Sequence, residues 1–299
     1  MDTFLLLLPD FALILLGVWL RRQAAFSDGF WMGLEKLVYF VLFPALLFNA
    51  LAKVEIDLAT TLPLFLAGLT VMVSGFVLGL LPRKWMGLDD MSFASRVQCA
   101  YRFNTYIGMA IAGKAFGTAG LATMGVLAGT MVPFANVMAV SLLARHGQGR
   151  VWRELVRNPL ILATLAGLLF NATGLSLPTP AASFLGRLAD ASIALGLLAV
   201  GAALRWGRIG GHWGGTVWIA VVKLMALPAI AWFVTVWYGL EGLERSVVVL
   251  FGSLPSASSA YILATRMGGD GPGVAWLISA TTLAAMPTMA LWLALLGAG

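Results

Sequence analysis

The stretch from residue 92 to 117, SFASRVQCAYRFNTYIGMAIAGKAFG, is apolar and long enough to cross a bilayer, yet Arg102, Phe103, Asn104 and Thr105 stand at its centre. In hydrocarbon, backbone and polar side-chain groups must find partners within the protein, so an interruption at mid-depth lines a cavity rather than facing lipid. A second stretch, RSVVVLFGSLPSASSAYILATRMGG from Arg245, has the same layout. Aligned without a gap, Asn104 falls on Pro255, Lys114 one place from Arg266, and Gly117 on Gly268. Pro255 removes a backbone donor, and Ser256, Ser258 and Ser259 can bond to carbonyls that the break frees. Taken singly, Asn104 reads as a buried polar contact and Pro255 as a kink. As a pair, matched breaks in two halves of a membrane chain point to a transport site. Half-helix N-termini at mid-depth present unpaired N–H groups and a positive dipole end, which suit an anion.

Two broken spans need a membrane protein around them, and the composition supplies it. Of 299 residues, 60% are hydrophobic and 11% charged, with a mean hydropathy of +0.92. Soluble domains carry roughly 25% charged residues. At ~20 residues per span there is room for about ten helices and for no separate soluble domain. The opening MDTFLLLLPDF lacks the basic start and small-residue cleavage site of a signal peptide and is expected to remain as the first span.

Spans are expected near residues 3 to 21, 30 to 51, 60 to 81, 92 to 116, 119 to 144, 158 to 174, 183 to 204, 213 to 238, 244 to 267 and 272 to 297. The basic connection at 145–157 separates a first five-helix repeat, 1–144, from a second, 158–299. Placing the odd-numbered connections in the cytoplasm gathers Arg21, Arg22, Arg83, Lys84, Arg96, Arg145, Arg150, Arg153, Arg157, Arg205, Arg208 and Arg266 there. The other side receives Lys53, Lys114, Arg187 and Arg245. That asymmetry predicts both termini on the non-cytoplasmic side. An odd number of spans per half turns the second half upside down, which is the inverted-repeat geometry of secondary transporters.

The net charge of +6 is therefore a matter of topology and gives no nucleic-acid signature. Within the spans, Arg102 and Lys223 each lie around ten residues from the entry side, ~15 Å deep. Each reads either as a cation that snorkels or pairs with a carbonyl, or as the counter-charge of a carboxylate substrate. Asp190 follows Arg187 at helical spacing and reads as a local ion pair; facing a water-filled cavity, it becomes a candidate for proton coupling. Asp10, beside Pro9, has the same two readings. Asn136, in VPFAN, reads either as an ordinary interhelical hydrogen bond or as a partner of the break around Asn104.

An enzyme would need a nucleophile with a base, paired acids or a metal cluster in the spans. Cys99 is the single cysteine, and His146 and His212 lie in short polar connections, so no catalysis, cofactor or metal is expected. A passive channel would need a continuous polar pore, whereas the polar groups form one layer.

The segments LEKLVYFVLFPALLFNALA, YRFNTYIGMAIAGKAFGTAG, MVPFANVMAV, RNPLILATLAGLL and FGSLPSASSAYILATRMG resemble, in the same order, those of the auxin efflux carrier family of membrane transporters. Asn104 matches the family's crossover asparagine and Leu254-Pro255 its Leu-Pro before the second crossover. The resemblance implies ten helices in two inverted repeats, with helices four and nine broken and crossing. It implies an elevator carrier of the bacterial type in the cell inner membrane. Spans three to five and eight to ten would move against a scaffold of spans one, two, six and seven, through which family members form homodimers. The expected function is secondary transport of a small organic anion, a carboxylate, bound by Arg102, Asn104, Thr105, Asn136, Lys223, Pro255, Ser256, Ser258 and Ser259, with H+ or Na+ as the possible coupling ion. The competing expectations are a passive anion channel or facilitator, and a sodium-coupled carrier of the bile acid symporter type.

Overall fold

Each described element is helical, because a chain in hydrocarbon must bond its backbone within the segment. The computed structural model describes residues 3–52, 58–144, 159–205 and 213–297. The basic connection at 145–157 and the cations Lys53 and Arg208 lie outside the described residues. The helices are α1 (Thr3–Arg21), α2 (Asp28–Leu37), α3 (Phe43–Leu51), α4 (Leu58–Leu80), α5 (Asp90–Tyr101), α6 (Thr105–Ala144) and α7 (Pro159–Ala172). They continue with α8 (Thr179–Ala203), α9 (Trp213–Val221), α10 (Leu227–Trp237), α11 (Gly242–Ser253), α12 (Ser259–Arg266) and α13 (Gly271–Leu295). Six continuous stretches among the described residues are long and apolar enough to cross a membrane.

The side chains of Ser27, Asp89 and Asp270 accept backbone N–H groups at the starts of α2, α5 and α13, satisfying donors that a helix start leaves open. Two π-helical stretches, Val38–Leu42 between α2 and α3 and Val222–Ala226 between α9 and α10, each precede a proline. Pro44 and Pro228 cannot bond to the carbonyls four residues back, which widens the turn. At the second of these, Trp292 Nε1 donates to the freed Leu224 carbonyl at 3.2 Å.

The 54-residue apolar stretch Asp90–Leu143 would run about 80 Å if straight, more than twice a bilayer core. It folds back at Gly117, whose φ of 67° and ψ of −157° belong to glycine alone. The segments on either side of Gly117 pack on each other, Gly108 against Met124 and Gly113 against Leu121.

Packing sorts the helices into two groups. In the first, α1 lies along α8, with Gly17 against the Leu198 carbonyl and Gly201 against that of Ile14. Any side chain at those glycines would push the backbones apart. The α2–α3 span and α7 join this pair, Gly167 seating against Phe48 and Leu51. The second group holds α4, α5, α6 and α9 to α13: Gly75 and Gly79 bring α4 onto α5, and Gly252 brings α11 onto α10. The groups meet mainly where α6 faces α1, α3, α7 and α8, and where α1 faces α13.

Candidate functional site

Both broken spans end their first helix in the same conformation. Arg102 follows α5 with φ −68° and ψ 143°, and Leu254 follows α11 with φ −61° and ψ 142°. From those two residues the chain stays outside helix until α6 and α12 begin. Capping geometry thus sets Arg102 opposite Leu254, one place away from the register in which Asn104 faces Pro255.

The breaks touch. The Asn104 N–H donates to the Pro255 carbonyl at 2.9 Å, so each break supplies a partner for a backbone group exposed by the other. Ser256 Oγ donates to the Cys99 carbonyl at 2.7 Å, and the Ser256 N–H donates to Thr281 Oγ1 at 3.3 Å. Asn104 Oδ1 accepts the Ile107 N–H at 3.3 Å, which makes Asn104 the cap of α6. Across the junction, Arg102 Nη2 donates to Ser259 Oγ at 2.9 Å. Behind it the Phe103 and Phe251 rings pack at 4.5 Å.

Several polar atoms here stay without a partner. Gln98 Nε2 and Oε1, Arg102 Nε and Nη1, Asn104 Nδ2, Ser258 Oγ and Thr282 Oγ1 are all enclosed and make no hydrogen bond. Most of them are donors. Buried polar groups are normally paired, so a cluster that is not marks a place for a ligand rich in acceptors. Charge points the same way. Arg102 is 6% exposed and Lys223 1%, and neither pairs with a carboxylate among the described residues. Lys223 lies in the π-helical stretch between α9 and α10. The site therefore combines a fixed cation, amide and hydroxyl donors, and two helix starts, a set that binds anions.

The other helix group forms the facing wall. Tyr106, next to the break, packs its ring 4.6 Å from that of Phe43 and fits a notch at Gly196 of α8. Ser192, one turn before Gly196, is buried with its hydroxyl unpartnered.

Of the residues singled out from the sequence, Arg102, Asn104, Pro255, Ser256 and Ser259 come together at this junction. Thr105 and Ser258 are half-buried beside it. Asn136 is half-buried in α6 and makes no hydrogen bond with Asn104. Asp190 is exposed on α8, without the burial that proton carrying needs, and forms no ion pair with Arg187. The helical spacing is right, but both side chains point outward. Asp190→Asn is accordingly expected to leave the pH profile of uptake unchanged, which a transport assay across pH 5 to 8 would check.

Sequence reasoning missed Gln98, Tyr106, Thr281 and Thr282. Gln98 lies in the last turn of α5, where its carbonyl accepts the Arg102 N–H at 2.9 Å. Arg96 was misplaced among loop cations. It is 1% exposed in α5, with Nε and Nη2 each 2.7 Å from Asp270 Oδ2 and Nη1 donating to Thr216 Oγ1 at 3.2 Å.

The family model described as membrane transport protein matches residues 143–293. An uncharacterized transporter of Methanothermobacter thermautotrophicus is 28% identical over 290 residues, which cover 94% of each chain. An uncharacterized transporter of Methanocaldococcus jannaschii is 23% identical over 312 residues, covering 98% of this chain and 97% of its own.

Proposed function

The chain belongs to the auxin efflux carrier family of membrane transport proteins, and from that premise we propose that it is a secondary transporter of a small organic carboxylate, bound where the two breaks meet. The observation that carries this reading is the Asn104–Pro255 backbone hydrogen bond, which holds two interrupted helices together beside unpartnered donors and an unneutralised Arg102. A carboxylate offers two oxygens with about four lone-pair directions. Arg102, Asn104 and Ser258 can fill them, with Thr105 and Ser259 at the rim and Lys223 adding positive potential from behind.

In this reading the described helices belong to ten passes arranged as two inverted five-helix repeats, 1–144 and 158–299, joined through 145–157. The asymmetry of Lys and Arg supports a cytoplasmic-membrane protein with both termini outside. The group of α4, α5, α6 and α9 to α13 moves as one body against α1 to α3, α7 and α8, carrying the bound anion in an elevator cycle. A homodimer through the first group, α1 to α3, α7 and α8, would keep that scaffold still. Tyr106 lies on the surface between the two bodies, where the missing side chain at Gly196 lets the ring seat closely on α8.

Purified protein in liposomes tests the proposal. Screened for thermal stabilisation against acetate, benzoate, succinate and citrate, with and without sodium, it should respond to at least one, and that anion should show saturable counterflow. Flux that neither saturates nor responds to substrate on the far side would mean a channel. Asn104→Ala is expected to abolish the thermal response at ligand concentrations that saturate the unmodified protein, while the folded protein persists in detergent. An unchanged response would take Asn104 out of the site.

A further inference from the structure

Four ion pairs occur among the described residues, and three join elements of the same helix group. Arg21 pairs with Asp28, Arg83 with Asp90, and Arg96 with Asp270. The fourth crosses between the groups. Lys114 Nζ, on the segment that leads to Gly117, lies 3.4 Å from Asp10 Oδ2 in α1. Asp10 is the one charged residue between Thr3 and Arg21. A carboxylate within an apolar helix is costly and calls for a partner. That partner sits on the body across the interface.

The geometry is that of a contact able to open. A single hydrogen bond joins the pair, and the side chains are 13% and 33% exposed. The Arg96–Asp270 contact, by comparison, has two short bonds to an almost fully enclosed guanidinium. Other contacts join the groups as well. Tyr106 meets the bare backbone at Gly196, and the Arg205 backbone bonds to Ser279 Oγ, with N–H and carbonyl at 2.9 and 3.0 Å. A translation of the α6 body by even one helical turn, about 5.4 Å, would carry Lys114 out of reach of Asp10.

We propose that Asp10 and Lys114 form a latch, which holds the moving helix group against α1 in the conformation described and opens each time that group moves. This rests on the elevator reading above. Neutralising either residue then lowers the population of this conformation relative to the others; exchanging the two charges restores it.

Spin labels on cysteines replacing Thr118 in α6 and Phe184 in α8, both exposed and on different groups, report the relative position of the two bodies. Cys99→Ala removes the single native cysteine. In the otherwise unmodified protein one interlabel distance should dominate. Asp10→Asn and Lys114→Gln should each raise the share of a second distance several-fold, and the exchanged pair Asp10→Lys with Lys114→Asp should return it to the starting value. The same distribution in all variants would overturn the latch. A second arm separates that result from failure of the elevator itself. Cysteines at 10 and 114 are joined by a bifunctional thiol reagent, and uptake is followed for whichever of the four screened anions stabilises the protein most. Lost uptake with unchanged distances in the single variants leaves the moving body and removes the latch. Undiminished uptake in the cross-linked protein removes both.

Discussion

Asp270→Asn is expected to destabilise the folded protein by roughly 3–5 kcal/mol, the usual effect of leaving one member of a buried ion pair unpartnered. Asp270 binds Arg96 through Oδ2, caps α13 by accepting the Gly273 N–H on Oδ1 at 2.9 Å, and donates its own N–H to Ser95 Oγ at 3.1 Å. Asparagine keeps an acceptor for the cap and removes the charge, so this variant isolates the ion pair. Asp270→Ala should cost about 1 kcal/mol more, by loss of the cap. A double change, Arg96→Met with Asp270→Asn, should recover much of the loss, since no charge is then stranded. Thermal and denaturant unfolding in detergent would measure all three. Equal stability of Asp270→Asn and the unmodified protein would mean that water reaches Arg96 and that α5 and α13 are held by apolar packing alone.

That pair also marks where the sequence stops being legible. The two breaks could be read in advance, because Arg102–Thr105 and the proline-serine run are polar interruptions in otherwise uniform hydrocarbon-compatible segments, and hydrocarbon tolerates no unexplained backbone gap. Element type followed from the same rule. Arg96 could not be placed, because a basic residue in the first turns of a span looks the same whether it snorkels to the interface or turns inward. What decides is Asp270, 174 positions away, together with Gly269 and Gly273, at which any side chain would collide with Ser95 and with the ion pair. Asp190 failed for the opposite reason. Its spacing from Arg187 allows a pair, but spacing fixes only which residues share a face and says nothing of which way that face turns.

Register was the other illegible quantity. An alignment by residue type sets Asn104 on Pro255, whereas the backbone sets Arg102 on Leu254, because both follow their helices with the same extended dihedrals. The consequence is functional. Arg102 occupies the first position after α5, and the matching residue after α11 is a fully buried leucine. The two breaks are alike in backbone but only one brings a cation, so the junction is polarised and an anion bound there would sit nearer the α5 side. The signals for Gln98 and Thr282 were weaker still: each is one polar residue within a helix, and only their shared lack of partners sets them apart.

Arg102→Gln is expected to weaken carboxylate binding by at least ~30-fold, since truncating one side of a buried charge-assisted contact costs about 2–5 kcal/mol. Arg102 spends Nη2 on Ser259 and has Nε and Nη1 free. A guanidinium can hold α12 and a ligand simultaneously because its donors are spread over a rigid plane. Arg102→Lys is therefore expected to recover little: an ammonium on a flexible stem keeps the charge but cannot keep both directions. Ser259→Ala supplies the control. It removes the hydrogen bond that orients the guanidinium and leaves the charge, so affinity should fall by much less than with Arg102→Gln. Titration calorimetry with whichever screened anion stabilises the protein most would read the series. Should Arg102→Gln bind as tightly as the unmodified protein while Ser259→Ala and Arg102→Gln lose equal stability, the guanidinium would be a strut between α5 and α12, and the anion would have to find its counter-charge at Lys223.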